Sequence, residues 1–286
     1  MAGLRDDDGN AAQIAYWNGV GAQRWLARQQ AQDSLLAPVA EILLDRAAAQ
    51  PGEFVLDIGC GWGMTSIALA QRVAPDGRVL GVDVSAPMLE RARQLAGREL
   101  PLDFVLADAT VYSFEPARAD LLFSRFGVMF FADPAGSFAN MRIGLRKGAR
   151  VSFACWREAR ANPWLLLPLQ AAYRHVAPLP EIGPEDPGLF SFGSRERVRV
   201  ILERAGFSAI GLEPVELSLD LAQGGGLDAA VETAVHIGPA SRALEGQPPA
   251  LQAAAARSIR AALEPWQRGN QVSLPAAIWL VSATNP

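Results

Sequence analysis

The chain has 286 residues, half of them apolar, and a net charge of −4 from 26 Lys plus Arg against 30 Asp plus Glu. So large an apolar share supports a sizeable buried core and excludes a disordered chain. Lys147 is the only lysine and the arginines are scattered singly, so the basic face of a polynucleotide binder is missing. Two cysteines, Cys60 and Cys155, are too few for a disulfide framework, a four-thiolate zinc site or an iron–sulfur cluster.

The first ten residues are acidic, without a basic-then-apolar leader pattern, and no apolar run reaches the about 20 residues of a membrane span. The expectation is a cytoplasmic protein with no membrane span and no nucleic-acid partner. Residues 11–50 read as two or three amphipathic helices. From Pro51 to Trp156 short apolar runs alternate with helical periodicity, the mark of parallel βαβ units. Strands are expected at Phe54–Ile58, Val79–Asp83, Phe104–Ala107, Leu121–Ser124 and Val151–Cys155. One intervening helix has Ser85 as N-cap and Pro87 in its first turn, stops near Gly97, and buries Met88, Ala92, Leu95 and Ala96. Another opens at Asp133-Pro134, carries Phe138, Met141 and Leu145, and ends before Lys147-Gly148.

The rhythm then breaks. Residues 157–193 read as a proline-rich insertion with one short helix around Leu165–His175. A helix near Arg195–Ala205 and a strand to about Leu219 restore the α/β pattern. A second insertion opens on Gly224-Gly225-Gly226 and is helical through Leu251–Leu263, and Ala276–Ala283 closes the chain as a strand. The segments expected are therefore N-terminal helices over 1–50, an α/β core over 51–156, a cap over 157–193, core again over 194–219, a second helical cap over 220–270, and a final core strand in 271–286.

The stretch VLDIGCGWG, Val55 to Gly63, carries the most chemistry. A buried strand runs into Gly59, Gly61 and Gly63 and then a helix, so the backbone can turn sharply and approach a ligand at the carboxyl edge of the sheet. A dinucleotide fold wants G-x-G-x-x-G facing a pyrophosphate, whereas here the spacing is G-x-G-x-G. Asp57, two residues before the first glycine, would repel a pyrophosphate and suit an ammonium group, such as the methionine end of S-adenosylmethionine. Asp83 ends the second strand, where an acid accepts hydrogen bonds from ribose hydroxyls in either fold. Asp108, in LADAT, is placed to reach an adenine amino group. A P-loop is excluded, because no G-K-[ST] follows.

VLDIGCGWG, the acid of VLGVDVS, ADAT and ADLLFSRFGVMFFADP, in that order, resemble a class I S-adenosylmethionine-dependent methyltransferase, similar to the small-molecule and quinone-biosynthesis group. RERVRVILERAGF is similar to the sixth helix and strand of that fold. The resemblance implies a doubly wound, seven-stranded mixed α/β sheet, Rossmann-like, with helical cap insertions, and S-adenosyl-L-methionine as cofactor. It implies that Gly59, Gly61 and Gly63 line the cofactor loop and that Asp57 faces the amino group, Asp83 the ribose and Asp108 the adenine. Met88 is expected on the adenine ring, with Val84 and Ala109 beside the two acids and Tyr16-Trp17 as an N-terminal lid. Cys60 reads as a packing residue rather than a nucleophile, Thr65 and Ser66 as helix packing, and Gly127 as a turn former.

Methyl transfer from a sulfonium needs alignment, exclusion of water and sometimes a base, so no strong catalytic motif is expected. The fourth strand ends in Ser124-Arg125-Phe126-Gly127 rather than the proline-rich tetrapeptide that methylates amino groups of bases. The acceptor, a small organic molecule, is expected to meet Phe126, Met129, Phe130, Trp156 and His175. Arg125 is costly to bury unpaired; a structural carboxylate, the cofactor carboxylate and the substrate are all open to it, with a cofactor role expected. A histidine base must be His175 or His236, and His236 is the expected one because Ile237-Gly238-Pro239 would fix its direction. No metal site is expected. An NAD(P)-dependent oxidoreductase and a cofactor-binding protein without transfer activity are the competing readings, and O, N, C and S all stay open as the methylated atom.

Overall fold

A computed structural model of the chain describes residues 10–181, 183 and 185–286, so the first nine residues of the expected N-terminal segment lie outside the described residues. Seven main strands form one sheet: β1 Phe54–Ile58, β2 Arg78–Asp83, β3 Leu102–Leu106, β4 Ala119–Arg125, β5 Leu145–Trp156, β6 Ser208–Asp220 and β7 Gln271–Thr284. Their order is β3-β2-β1-β4-β5-β7-β6, with the two residues Gln267–Arg268 pairing onto the start of β7. The first five strands are parallel, and β7 runs antiparallel between β5 and β6. This is the doubly wound mixed sheet that the resemblance implies.

The central strands are parallel because each is a nearly continuous apolar run, buried on both faces by helices. Val55, Leu121, Leu122 and Phe123 are fully buried. The order reverses between β1 and β4, with β2 and β3 on one side and β5 on the other. A sheet of this kind opens a crevice at such a reversal, outside the carboxyl ends of its strands. Asp83, Arg125 and the glycine loop all lie at that edge.

Three N-terminal helices, α1 Ala11–Asn18, α2 Val20–Ala27 and α3 Gln29–Ala47, precede β1. Asn residues latch both ends of α1 to the carboxyl edge. Asn10 donates to Asp108 at 3.1 Å and accepts from the Ala132 amide, while Asn18 donates to the Val84 carbonyl and accepts from the Ala86 amide. Within the core follow α4 Met64–Val73, α5 Ala86–Leu95, α6 Pro134–Ile143 and α8 Arg195–Arg204. Ser85 caps α5 as expected, its hydroxyl accepting from the Met88 amide. The remaining helices, α7 Pro163–Ala172, α9 Gly226–His236, α10 Pro239–Leu244 and α11 Pro249–Leu263, pack on one another. Asn162 pins the start of α7 to the sheet, donating to the Ala277 carbonyl and accepting from its amide.

Several boundaries differ from expectation. Leu145 opens β5 rather than ending α6, because it pairs with Ala119 of β4, whose amide donates to the Gly144 carbonyl. The third strand starts at Leu102, directly after Pro101, and ends at Leu106. The last strand begins at Gln271 and runs through Pro275. Over 273–277 β7 pairs only with β6, so at Pro275 there is no second neighbouring strand to which a backbone N–H is owed.

Candidate functional site

At the end of β1 the chain turns through Gly59, Gly61 and Gly63 with φ of 67°, 55° and 81°. Only glycine adopts that left-handed geometry freely. Gly59 carries a second constraint, since a Cβ there would stand 2.7 Å from the Gly127 Cα. Gly127 is therefore glycine for contact and not for turning: its own φ is −75°, and the positive φ of 67° belongs to Phe126. At Gly61 the situation is reversed. A Cβ there would have no protein atom within 4 Å, so the backbone is open towards the cavity it lines.

Three carboxylates stand near the strand ends, Asp57 inside β1, Asp83 as the last residue of β2 and Asp108 just after β3. Asp57 is fully buried beneath the glycine loop, accepting from Thr65 at 2.8 Å and Ser66 at 2.6 Å through Oδ2, while Oδ1 has no partner among the described residues. Burial raises its pKa to about 6, opposed by the two hydroxyls and by the Arg125 charge. Asp83 fastens the loop from the other side, accepting from the Gly61 amide at 2.7 Å and the Ser85 amide at 2.8 Å. Burial pushes its carboxyl up as well, against those backbone bonds. Asp108 accepts from Asn10 and from the Thr110 amide through Oδ1, leaving Oδ2 for another donor.

A cavity of about 180 Å³ lies along this edge. Its lining includes Asp83, Val84, Met88, Asp108 and Ala109 from the strand ends β2 and β3, with Gly59, Gly61 and Trp17. It also includes an apolar, aromatic end formed by Phe126, Met129 and Phe130 from the loop after β4 and Trp156 at the end of β5. Phe126 and Trp156 stack at 4.2 Å with planes 11° apart, and Trp164 tilts against Trp156 at 5.2 Å. Trp164 and Leu165 of α7, Leu189, and Ile237-Gly238 after α9 close that end, so both inserted segments reach the cavity. Arg125, half-buried, also lines it, and no hydrogen bond or ion pair joins its side chain to a described residue. Burial pulls its pKa down, while Asp33 and Asp57 act to raise it from a distance.

Other expected residues lie outside the cavity lining. Asp57 and Gly63 sit behind the loop, where Gly63 starts α4. Tyr16 packs edge-on against Trp17 at 5.2 Å and supports it from outside. His175 bonds Ser258 at 2.7 Å, joining the end of α7 to α11. His236 is 45% exposed and pairs with Glu232 at 3.2 Å, because the turn after α9 points Ile237 and Gly238 inward and leaves the imidazole on the helix exterior. Burial and the Arg28 charge lower its pKa, with Glu232 opposing them.

Sequence reasoning passed over Trp62, Gln32 and Asn10. Trp62, inside the glycine loop, is buried, lines the cavity and donates to Asp33 at 2.8 Å. Its only sequence signal is a large aromatic amid glycines. Gln32 also lines the cavity, its Oε1 buried and unpartnered among the described residues. Among the described residues no cluster of three His, Cys, Asp or Glu side chains could hold a metal, and no helix is long and apolar enough to cross a membrane.

Residues 55–148 match the family model described as a methyltransferase domain. The chain is 31% identical over 194 residues to the nocamycin O-methyltransferase of Saccharothrix syringae, covering 64% of this chain and 68% of that protein. It is 32% identical over 115 residues to the 2-phytyl-1,4-naphtoquinone methyltransferase of Trichormus variabilis, covering 39% and 50%. The chain spans about half the length, or less, of several other curated relatives it matches. The fold is shared with the Haemonchus contortus phosphoethanolamine N-methyltransferase 2 bound to S-adenosylhomocysteine, at a TM-score of 0.53 and 18% identity, over 87% of this chain and 52% of that one. Glycine loop, strand-end acids, sheet order and these likenesses agree: the chain belongs to the class I S-adenosylmethionine-dependent methyltransferases.

Proposed function

We propose that the chain transfers a methyl group from S-adenosyl-L-methionine to a small, largely apolar organic molecule by in-line displacement. The observation that carries this reading is one cavity lined both by the carboxylates Asp83 and Asp108 and by the aromatic and apolar Phe126, Met129, Phe130 and Trp156. The residues fit the donor. The open face of Gly61 is a cradle that any side chain would fill, and Asp83 and Asp108 keep lone pairs after their protein bonds are made.

When bound, S-adenosyl-L-methionine supplies a methyl carbon made electrophilic by its sulfonium. In this reading Asp83 holds the ribose hydroxyls, Asp108 the adenine amino group, and Met88, Val84 and Ala109 the faces of the base. Gly59 and Gly61 let the backbone approach the methionine end. Asp57 acts from behind the loop, orienting it through Thr65 and Ser66 and placing negative charge beneath the ammonium. Trp17, supported by Tyr16 and by α1 latched at both ends, covers the donor. The aromatic end orders the acceptor and keeps water away from the reacting atoms.

His236 and His175, turned away from the cavity, have no part in proton transfer here. Incubating the protein with methyl-labelled donor and a pool of small organic acids, phenols and quinols tests the reading. Label is expected in an extractable small molecule. Tight NAD(P) binding with no S-adenosylmethionine binding would favour the oxidoreductase alternative, and donor binding without transfer to any acceptor would favour the non-transferring one.

A further inference from the structure

Among the described residues, Arg125 is the one cation in the cavity lining, and its surroundings ask for an anion. It ends β4 beside Ala154 of β5, on the far side of the glycine loop from Asp83, and next in sequence to Phe126 of the stacked aromatic wall. The acids nearest to it in effect make no bond to it: Asp57 accepts from Thr65 and Ser66 through Oδ2, and Asp33 accepts from Trp62 and Gln29. A guanidinium in an apolar site without a partner is unfavourable unless a ligand brings one. A sulfonium beside it would add a second positive charge. The donor's own carboxylate is balanced by its own ammonium, so it does not offset that sum.

Among the described residues the cavity lining contains no histidine, lysine, glutamate or tyrosine. Its two carboxylates are already bonded, Asp83 by the Gly61 and Ser85 amides and Asp108 by Asn10 and the Thr110 amide, and the Cys60 thiol, pushed up by burial, is not ionised at neutral pH. Among the described residues, an acceptor that must lose a proton inside the cavity meets only these groups.

We propose, on the methyl-transfer reading above, that the acceptor is an apolar organic acid bound as its anion, its ionised oxygen paired with Arg125 and itself the nucleophile. In that step an oxygen lone pair forms the O–C bond to the methyl carbon as the C–S bond breaks, and the breaking pair remains on sulfur. No proton moves within the site. A cation and an anion become two uncharged centres, the methylated acid and a thioether. Arg125 orients the acid and compensates its charge before transfer, and the aromatic wall holds its apolar body.

The experiment titrates 2-naphthoate and its uncharged isostere 2-naphthamide into the full chain by calorimetry, with and without S-adenosylhomocysteine, for wild type, Arg125→Gln and Arg125→Lys. Wild type is expected to prefer naphthoate by about tenfold or more, the scale of one charge-assisted pair. Arg125→Gln should abolish that preference and Arg125→Lys should keep part of it. In parallel, S-adenosylhomocysteine and 5′-methylthioadenosine, which lacks the amino-acid end, are titrated into wild type and Arg125→Gln, with both affinities expected to change by less than about threefold. Loss of S-adenosylhomocysteine affinity alone would assign Arg125 to the donor carboxylate and overturn the proposal. Equal binding of naphthoate and naphthamide by wild type would also overturn it, whether or not a variant folds. Failure of wild type to bind S-adenosylhomocysteine would contradict the donor reading instead, and the naphthoate titration without it still reads the acid preference.

Discussion

Asp57 makes stability depend on pH in a direction opposite to that of most carboxylates. Its side chain is buried beneath the glycine loop with one oxygen bonded and the other unpartnered, and its pKa lies at about 6 against 3.8 for the ordinary group. The folded chain therefore holds a proton that the unfolded chain has released, and stability falls as pH rises from about 4 through about 6. A shift of roughly two pKa units corresponds to about 3 kcal/mol, fully lost above the folded value. Asp57→Asn removes the titration and keeps an oxygen for Thr65 and Ser66, while its amide nitrogen takes the unpartnered place at a cost that does not vary with pH. Urea unfolding of both proteins at pH 4, 5, 6, 7 and 8 isolates the effect as a difference. The variant should gain about 3 kcal/mol on wild type between pH 4 and pH 8. Parallel curves would mean that Asp57 is already ionised at pH 4, and the account of its burial would fail.

Gly127→Ala puts a Cβ 2.7 Å from the Ile58 carbonyl and 2.8 Å from the Gly59 Cα, all rigid backbone; it should cost about 1–3 kcal/mol in urea unfolding and weaken S-adenosylhomocysteine binding through the displaced loop. Asn10→Ala removes the bonds that tie α1 to Asp108 and Ala132, and calorimetry should show a loss of about threefold to tenfold in S-adenosylhomocysteine affinity. His236→Ala should leave initial rates of labelled methyl transfer within about threefold of wild type, since a positioned base contributes about 100-fold or more and this imidazole faces Glu232 outside the cavity. A hundredfold fall would return the histidine to the reaction.

The sheet was legible because buried parallel strands are written as uninterrupted apolar runs, and two of the helices between them by Ser85 and Asp133-Pro134 at their starts. The glycine loop and the acids Asp83 and Asp108 were legible because each follows a strand end at fixed spacing, so local pattern places them at one edge. What escaped depends on contacts between distant segments. Trp62 gains its place from Asp33, and Asn10 its role from Asp108, across 29 and 98 positions that no local pattern connects. His236 was misplaced for a related reason. The turn after α9 does fix a direction, but the side chains it turns inward are Ile237 and Gly238. Gly127 reads in the sequence as a turn former, but the positive φ belongs to Phe126 and it is the opposing Gly59 that requires a glycine here.

The central claim is that Asp83 at the end of β2 anchors S-adenosylmethionine in this cavity. Calorimetric titration of S-adenosylhomocysteine and NAD+ into wild type and Asp83→Ala tests it most directly. Wild type should bind S-adenosylhomocysteine and not NAD+, and the folded variant should lose about tenfold to hundredfold in S-adenosylhomocysteine affinity, the worth of hydrogen bonds to a charged acceptor. Unchanged affinity in a folded variant, or a wild type that binds NAD+ in preference, would contradict the account.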